Sequence, residues 1–278
     1  CSTTLFICSL VAPGSIIIII FNLLFLYSKS NKIIIKLNTK PTLLYYIEQR
    51  KNNMDIENFY IEKGNGFPLI LLHGNNENSN YLKKQIDEFS KYYKVYAIDT
   101  RGHSKTPKGD KPFTLNQFAA DLLNFMDNKN IERAHLLGFS DGGNSAIIFS
   151  LMCPERVEKL ILNGANLSPE GLTFTTRLSD KINYFFANFL SKKYDWAKTK
   201  KDMLSIMVNE PNINPDELKN INSKTLVIAG ENDLIKREHT KLIAEKIPDS
   251  ELIFIKGDHF AIYKNPDEFN KIILEFLN

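Results

Sequence analysis

The chain is poor in cysteine and tryptophan, with three and one residues of these types among 278. Cys1, Cys8 and Cys153 are too few to form the disulfide framework of a small secreted domain. The five histidines are scattered, without a spacing typical of metal ligands. We therefore expect neither a disulfide-stapled fold nor a metal site, and a chain of this length can bury a full core.

The chain also lacks a large excess of charge of either sign. Its formal net charge is +3, and the basic surplus belongs to residues 1–53, which hold six basic side chains and one acidic. The remaining residues carry 29 basic and 31 acidic side chains. This globular part lacks the basic balance of nucleic-acid-binding proteins, so we expect no nucleic-acid partner.

Charged residues are absent from the first 28 positions. Residues 5–27 are mostly apolar and long enough to cross a bilayer as a helix. We interpret residues 1–30 as a possible membrane anchor and residues 31–53 as a basic linker. Because the basic flank follows the span, the positive-inside rule places the next domain in the cytoplasm. Two alternatives stay open, namely a buried or artefactual leader and a soluble cytoplasmic protein.

Beyond residue 53, strand-like and helix-like runs alternate, which is typical of a mostly parallel sheet covered by helices. Predicted strands cover residues 54–62, 67–72, 94–98, 157–162, 225–229 and 251–255. The alternation stops at about residues 170–220, where two aromatic-rich segments, 174–194 and 196–208, have helical character. We expect this insertion to form a short helical cap at the edge of the sheet where open α/β sheets bind ligands.

One pentapeptide, Gly138-Phe139-Ser140-Asp141-Gly142, has the pattern Gly-x-Ser-x-Gly. An apolar run precedes it and a segment that can begin a helix follows it, as a nucleophile elbow requires. The glycines allow a tight turn that holds the serine in a strained conformation with its hydroxyl exposed. Such pentapeptides also occur in ordinary turns, so the prediction that Ser140 is a nucleophile depends on the segments around it.

An alcohol is a poor nucleophile at neutral pH, so Ser140 needs a base. His259 follows the last predicted strand, where its side chain can reach the edge of the sheet. Asp233 follows the preceding strand and is the expected orienting carboxylate. Glu231 is the second candidate for that role, and Asp258 is a weaker one because it adjoins the histidine. The order serine, aspartate, histidine along the chain is the order typical of this elbow.

The loop His73-Gly74-Asn75-Asn76 follows a predicted strand and can offer a backbone N–H beside the elbow. A second N–H, that of Asp141, would complete an oxyanion hole. We expect the side chain of His73 to be structural. The Asp141 carboxylate could attract a cationic substrate group, such as the amino group of an aminoacyl ester. The alternative is that this carboxylate only caps the following helix.

Together these segments resemble the α/β-hydrolase superfamily over roughly residues 54–278. The matching pieces are His73-Gly74, Asp99-Thr100-Arg101-Gly102-His103-Ser104, the elbow, Gly230-Glu231-Asn232-Asp233 and Gly257-Asp258-His259. The Ser-Asp-Gly-Gly at the elbow is similar to valacyclovir-hydrolase-like and esterase-like members.

The resemblance implies an α/β-hydrolase fold with a mostly parallel sheet, flanking helices and a short cap. It further implies Ser140 as nucleophile, Asp233 as acid and His259 as base, with the N–H groups of Asn75 and Asp141 as oxyanion hole. No cofactor or metal is implied, because the serine mechanism needs neither.

The sequence therefore predicts a serine hydrolase that cleaves a small carboxylic ester or a related acyl bond. A serine at the elbow argues against the dehalogenase and epoxide-hydrolase branches, which use a carboxylate nucleophile. One alternative is a non-catalytic ligand-binding or signalling protein that keeps the fold. A further alternative uses the same triad to break a C–C bond or to form a peracid without a cofactor.

Overall fold

The computed structural model describes residues 55–278, together with three short strands nearer the N-terminus. The chain divides into two compact units, Cys1–Asn53 and Met54–Asn278. In the first unit, β1 (Ile17–Ile20), β2 (Leu23–Tyr27) and β3 (Ile33–Lys36) form an antiparallel sheet in that order.

The helix expected to span a membrane over residues 5–27 is not found where that stretch is described. Its described parts are β1 and β2, which pair with each other as strands. The isoleucine run of β1 suits extended backbone, because β-branched side chains pack well on a pleated surface. The remainder of the predicted anchor, and the predicted linker apart from β3, lie outside the described residues. Within the part of the chain that the structure describes, no helix has the length and apolar character to cross a membrane.

The second unit is built on a seven-stranded sheet. Its strands are β4 (Tyr60–Lys63), β5 (Pro68–Leu72), β6 (Lys94–Ile98), β7 (Ala134–Phe139), β8 (Val157–Asn163), β9 (Lys224–Asn232) and β10 (Ser250–Asp258). They lie in the order β10-β9-β8-β7-β5-β6-β4. Every neighbouring pair is parallel except β4 with β6. Parallel strands end at one edge of the sheet, so the loops that follow them meet there.

Helices connect these strands and cover the sheet. They are α1 (Lys83–Phe89), α2 (Leu115–Asn128), α3 (Asp141–Met152), α4 (Phe174–Leu190), α5 (Asp195–Asn209), α6 (Arg237–Lys246), α7 (Ala261–Lys264) and α8 (Pro266–Leu277). Short 3-10 helices lie at Ser79–Leu82, Pro154–Arg156, Pro169–Gly171 and Pro215–Asn220. The mostly parallel sheet flanked by helices confirms the predicted α/β-hydrolase fold class.

The central strands are buried along their length. All six residues of β7 are buried, as are four of the five in β5. Parallel strands that are covered on both faces carry continuous apolar runs, and such runs in the sequence predict β5 and β7. Phe89 of α1 and Phe269 of α8 pack into one cluster with Leu69 and Leu71 of β5. Each buried side chain of this size stabilises the fold by about 1.5–3 kcal/mol.

Arg101, a buried residue of the loop after β6, connects that loop to Asp55 and Asp121. Arg101 is fully buried, and its guanidinium donates paired hydrogen bonds to Asp55 at 2.7 and 2.8 Å. It donates a second pair to Asp121 of α2, also at 2.7 and 2.8 Å. Two carboxylates thus neutralise a charge that burial alone would make costly. The Arg101 guanidinium holds the pKa of Asp55 well below its usual range.

The first strand of this sheet is shorter than the predicted 54–62, since β4 begins only at Tyr60. The residues before it make loop contacts instead of strand pairing. Asn58 Nδ2 donates to the carbonyl of Asp99, and the Phe59 N–H donates to Thr106 Oγ1. These bonds lie within the described part of the chain and fix the segment against the loop after β6.

The predicted cap is present as α4 and α5, which pack against each other. The aromatic side chains of this cap differ in exposure. Tyr184 is half-buried, whereas Phe185, Phe186, Phe189 and Trp196 are exposed.

Candidate active site

Ser140 lies between β7 and α3, at the sharp turn that the pentapeptide predicts. Its φ of 53° and ψ of −120° are strained for a residue with a side chain. The backbone N–H of Ser140 donates to the carbonyl of Asn163 at 2.8 Å, which anchors the turn to the end of β8.

The two glycines of the pentapeptide are required by close backbone contacts. A Cβ on Gly138 would lie 2.3 Å from the carbonyl oxygen of Gly142. A Cβ on Gly142 would lie 2.3 Å from the carbonyl oxygen of Leu72, at the end of β5. Only glycine lets the elbow approach the neighbouring strand this closely.

His259 lies between the other two predicted residues of the triad. Its Nε2 is 3.1 Å from Ser140 Oγ, and its Nδ1 is 2.7 Å from Asp233 Oδ1. A carboxylate only accepts hydrogen bonds, so Nδ1 carries the proton and Nε2 of the neutral ring accepts from the serine hydroxyl. This is the arrangement in which a histidine can take the proton of a serine nucleophile.

Asp233 is itself held in place by backbone donors. Its Oδ1 accepts from the N–H of Ile235 at 3.0 Å, and its Oδ2 accepts from the N–H of Gly230 at 3.2 Å. The other two acids weighed for this role lie elsewhere. Glu231 is exposed, and Asp258 forms an ion pair with Lys264.

The structure brings Asn75 and Asp141, the residues expected to form the oxyanion hole, into direct contact. Asn75 Nδ2 donates to Asp141 Oδ2 at 2.9 Å and to the carbonyl of Met203 in α5 at 2.9 Å. The cap therefore contacts the loop that follows β5. Because Asp141 opens α3, its backbone N–H has no acceptor within that helix and is available to a ligand.

The Asp141 carboxylate lies in the first turn of α3 and hydrogen-bonds to two side chains. It accepts from Asn75 and, at 3.2 Å, from Asn144 Nδ2, and Asn144 also donates to Asn166 Oδ1 at 2.9 Å. Burial raises the pKa of Asp141, whereas its bond to Asn75, the proximity of His259 and its bond to Asn144 lower it. The carboxylate of Asp180 on α4 raises that pKa further.

Glu77 is a site residue that the sequence did not reveal. Its Oε2 accepts from the backbone N–H of Gly74 at 3.2 Å, in the same loop as Asn75. Burial raises the pKa of Glu77 to about 7, and Asp141 contributes to the rise, while the Gly74 bond and His259 oppose it. A single glutamate in a polar loop carries no pattern that distinguishes it from a solvated one.

His73 is structural, as expected. It is buried, its Nδ1 lies 2.7 Å from the carbonyl of Gly74, and its Nε2 accepts from the N–H of Thr100 at 3.0 Å. Burial lowers its pKa to about 4, so the ring is neutral and ties the β5 loop to the β6 loop. In the described part of the chain, no group of three histidine, cysteine, aspartate or glutamate side chains is arranged to hold a metal ion.

Comparison with known proteins identifies the family of the chain. The family model for the alpha/beta hydrolase fold matches residues 68–206. The chain is 30% identical to a 2-hydroxy-6-oxononadienedioate/2-hydroxy-6-oxononatrienedioate hydrolase of Comamonas testosteroni, over 81% of this chain and 94% of that protein. It is 28% identical to the "uncharacterized carboxylesterase nap" of Bacillus subtilis, over 76% and 79% of the two chains.

A solved structure described as Est816, an N-acyl homoserine lactone degrading enzyme, is 26% identical. It superposes with a TM-score of 0.65 over 81% of this chain and 98% of that one. The expectation of a hydrolase is confirmed by these relatives, whereas the narrower expectation of a carboxylesterase is not. The elbow, the sheet order and the matches together show that the chain belongs to the α/β-hydrolase fold family.

Proposed function

We propose that this protein is a serine hydrolase in which Ser140, His259 and Asp233 act as a catalytic triad on an acyl bond. The observation that carries the proposal is the continuous hydrogen-bonded line from Ser140 Oγ through both nitrogens of His259 to Asp233. Three side chains from three separate loops meet in the order that nucleophilic catalysis needs. Such a complete line argues against the alternative of a non-catalytic binding protein.

The reaction has two halves. Ser140 Oγ attacks the carbonyl carbon while its proton passes to His259 Nε2, and the bond to the leaving group then breaks as the leaving group takes that proton. Water next attacks the acyl-enzyme, giving one proton to His259, and the Ser140 oxygen recovers that proton as the acid leaves. Asp233 holds the ring in the required tautomer throughout.

The N–H groups of Asn75 and Asp141 are the proposed donors to the oxyanion in both halves. The Asn75–Asp141 hydrogen bond supports this assignment, since it joins the two loops that would carry the donors. Preorganised donors of this kind are worth about 3–4 kcal/mol each in serine hydrolases.

The proposed substrate is a small ester or lactone whose acyl part is uncharged or cationic. Acidic side chains surround the site. Asp141 adjoins the nucleophile, Glu77 lies in the oxyanion loop, and Asp180 acts on Asp141 from the cap. The pKa of each of these three carboxyl groups is raised, so the setting already disfavours negative charge, and a substrate carboxylate placed there would cost further free energy. An amino group would meet complementary charge, so Asp141 is a candidate substrate-binding residue.

C–C bond hydrolysis is the second candidate, and the names of the relatives favour it. A 2-hydroxy-6-oxononadienedioate contains no ester or amide bond, so its hydrolysis must break a bond between carbons. The same serine mechanism suits that cleavage. Against it stands the acidic site, because a dioate substrate carries two carboxylates.

A substrate panel separates the two candidates. Initial rates would be measured for a p-nitrophenyl ester with a neutral acyl group, its α-amino counterpart and 2-hydroxy-6-oxo-6-phenylhexa-2,4-dienoate. The proposal expects kcat/KM for either ester to exceed that for the dienoate by at least about tenfold. The reverse order would establish C–C hydrolysis in its place. The Ser140→Ala variant serves as the control for background hydrolysis.

A further inference from the structure

The helix α4 directs its apolar face away from the body of the protein. Six large apolar side chains recur along it at helical spacing and form the cap stripe, which consists of Phe174, Leu178, Ile182, Phe185, Phe186 and Phe189. Each of them is between 47% and 73% exposed. The face toward the body carries smaller or polar side chains, such as Ala187 and Asp180, which are buried. A soluble helix ordinarily has the opposite arrangement.

This patch extends over the length of α4. The 17 residues of α4 form a helix about 25 Å long. Two more exposed aromatic rings, Tyr194 and Trp196, follow its end and stack on each other at 6.2 Å. Contiguous apolar surface of this size marks a docking site on proteins that are otherwise soluble.

Basic residues accompany the cap stripe. Exposed lysines in and just after α4 are Lys181, Lys192, Lys193, Lys198 and Lys200. Between residues 174 and 200 the acidic side chains are Asp180, which is buried, and Asp195, which pairs with Lys198 at 2.8 Å. The exposed surface of the cap is therefore both apolar and basic.

We propose that the cap stripe docks on the surface of an anionic lipid bilayer. The aromatic rings and the aliphatic side chains would enter the boundary between headgroups and acyl chains, while the lysines contact anionic headgroups. Tyr and Trp favour that boundary because each has an apolar ring and a polar O–H or N–H group. A helix lying in the membrane surface does not have to cross the bilayer, so this docking needs no transmembrane span.

The charges favour a lipid surface over a second copy of the chain. Two cap stripes facing each other would bring two sets of lysines together, and like charges across an interface are unfavourable. An anionic bilayer supplies the complementary charge. The proposal concerns binding alone and does not depend on the chemistry proposed for Ser140.

The chain offers its own reporter for the test. Trp196 is the sole tryptophan of the sequence and is 62% exposed at the start of α5. The full chain would be mixed with vesicles of phosphatidylcholine alone, or with about one third phosphatidylserine, and both flotation and Trp196 emission would be recorded. We expect flotation and a blue shift with the anionic vesicles, both weakening as salt rises from about 0.05 to about 0.3 M.

Paired variants connect the binding to the cap stripe. Phe185→Ser/Phe189→Ser should weaken partitioning onto anionic vesicles at least about tenfold, since each ring buries substantial apolar surface. The matched control is Tyr92→Ser, which removes an exposed ring (61% exposed) outside the cap. All three proteins keep residues 1–53, so any binding through the N-terminal apolar run cancels in the comparison.

Three outcomes would overturn the proposal. One is equal flotation of the cap variant and the control. Another is a concentration-dependent dimer in light scattering that the cap substitutions abolish without any lipid binding, which would assign the stripe to a second copy. The third is a lower melting temperature of the cap variant than of the control, which would show that protein already covers the stripe.

Discussion

The side chain of Asn75 donates a hydrogen bond of 2.9 Å to the carboxylate of Asp141, which adjoins the nucleophile in sequence. One residue follows β5 and the other opens α3, so this bond joins the two halves of the proposed oxyanion hole. It also sets the direction of the Asp141 carboxylate. Because the orientation of the Asp141 carboxylate would affect which acyl groups bind, substrate preference tests the role of the Asn75–Asp141 bond.

Asp141→Asn should remove a preference for cationic acyl groups. We expect kcat/KM for an α-amino ester to fall at least about tenfold, and that for the matched neutral ester to change less than about threefold, because only the former loses a charge partner. Asp258→Asn is the control, since it removes a carboxylate next to His259 that pairs with Lys264. Equal losses for both esters would exclude recognition of a cation by Asp141.

Asp233→Asn should leave the fold intact and nearly abolish turnover. The substitution keeps the shape of the side chain but stabilises the wrong tautomer of His259, a change that costs about 10⁴ in kcat in a serine protease. We expect a loss of about 10³–10⁴ in kcat with the melting temperature within a few degrees of wild type. Glu231→Gln removes the exposed neighbouring acid and should leave kcat unchanged. A loss below about tenfold in Asp233→Asn would show that another group orients the histidine.

Glu77→Gln should change how stability depends on pH. The pKa of Glu77 is about 7 in the folded protein and 4.5 as its ordinary value, so the folded state binds the proton more tightly. Protonated Glu77 therefore contributes to the free energy of unfolding at low pH. This contribution, up to roughly 3 kcal/mol, is lost as pH rises through about 7. Glutamine keeps an acceptor for the Gly74 N–H and cannot ionise.

Urea unfolding of wild type and Glu77→Gln at several pH values between about 5 and 8 would measure this difference. The variant should gain stability relative to wild type as pH rises. Glu57→Gln, at an exposed position, is the control and should follow wild type. Parallel curves for Glu77→Gln and wild type would contradict the raised pKa.

Arg101→Met should destabilise the protein strongly, by about 3–5 kcal/mol, because Asp55 and Asp121 would each lose a buried partner. Arg133→Met also removes an ion pair, with Glu158, but at a half-exposed position, and should cost under about 1 kcal/mol. The Asp55 pKa is lowered in the fold, so its contribution is present above pH 3.8 and is lost as pH falls. We therefore expect the free energy of unfolding to decrease less at low pH in Arg101→Met than in Arg133→Met, and urea unfolding at several acidic pH values would measure the difference.

Local sequence patterns indicate the elbow and the two residues that the structure brings beside it. Gly138 and Gly142 stand where backbone contacts forbid any other residue, and such constraints leave a readable motif. His259 and Asp233 each follow a predicted strand, and this position indicates both, because the ends of parallel strands meet at one edge of a sheet. No sequence pattern indicates Glu77, because its raised pKa results from burial and its bond to the Gly74 N–H forms only in the folded loop.

The structure departs from the sequence prediction in one apolar segment and adds to it in another. The run at residues 5–27 was expected to be helical, yet Ile17–Ile20 and Leu23–Tyr27 are strands. A continuous apolar run shows no period that separates helix from strand. The predicted helical character of α4 is confirmed, but the sequence pattern does not indicate which side of a helix faces the body, and the apolar side faces outward.

The most direct test of the central claim is covalent labelling by a fluorophosphonate, which reacts with an activated serine. Full-length wild type, Ser140→Ala and His259→Ala would be compared, with folding checked by circular dichroism. We expect rapid labelling of wild type, none of Ser140→Ala, and labelling at least about 100-fold slower in His259→Ala. A folded wild-type protein that stays unlabelled, or Ser140→Ala labelled as fast as wild type, would contradict the assignment of Ser140 as the nucleophile.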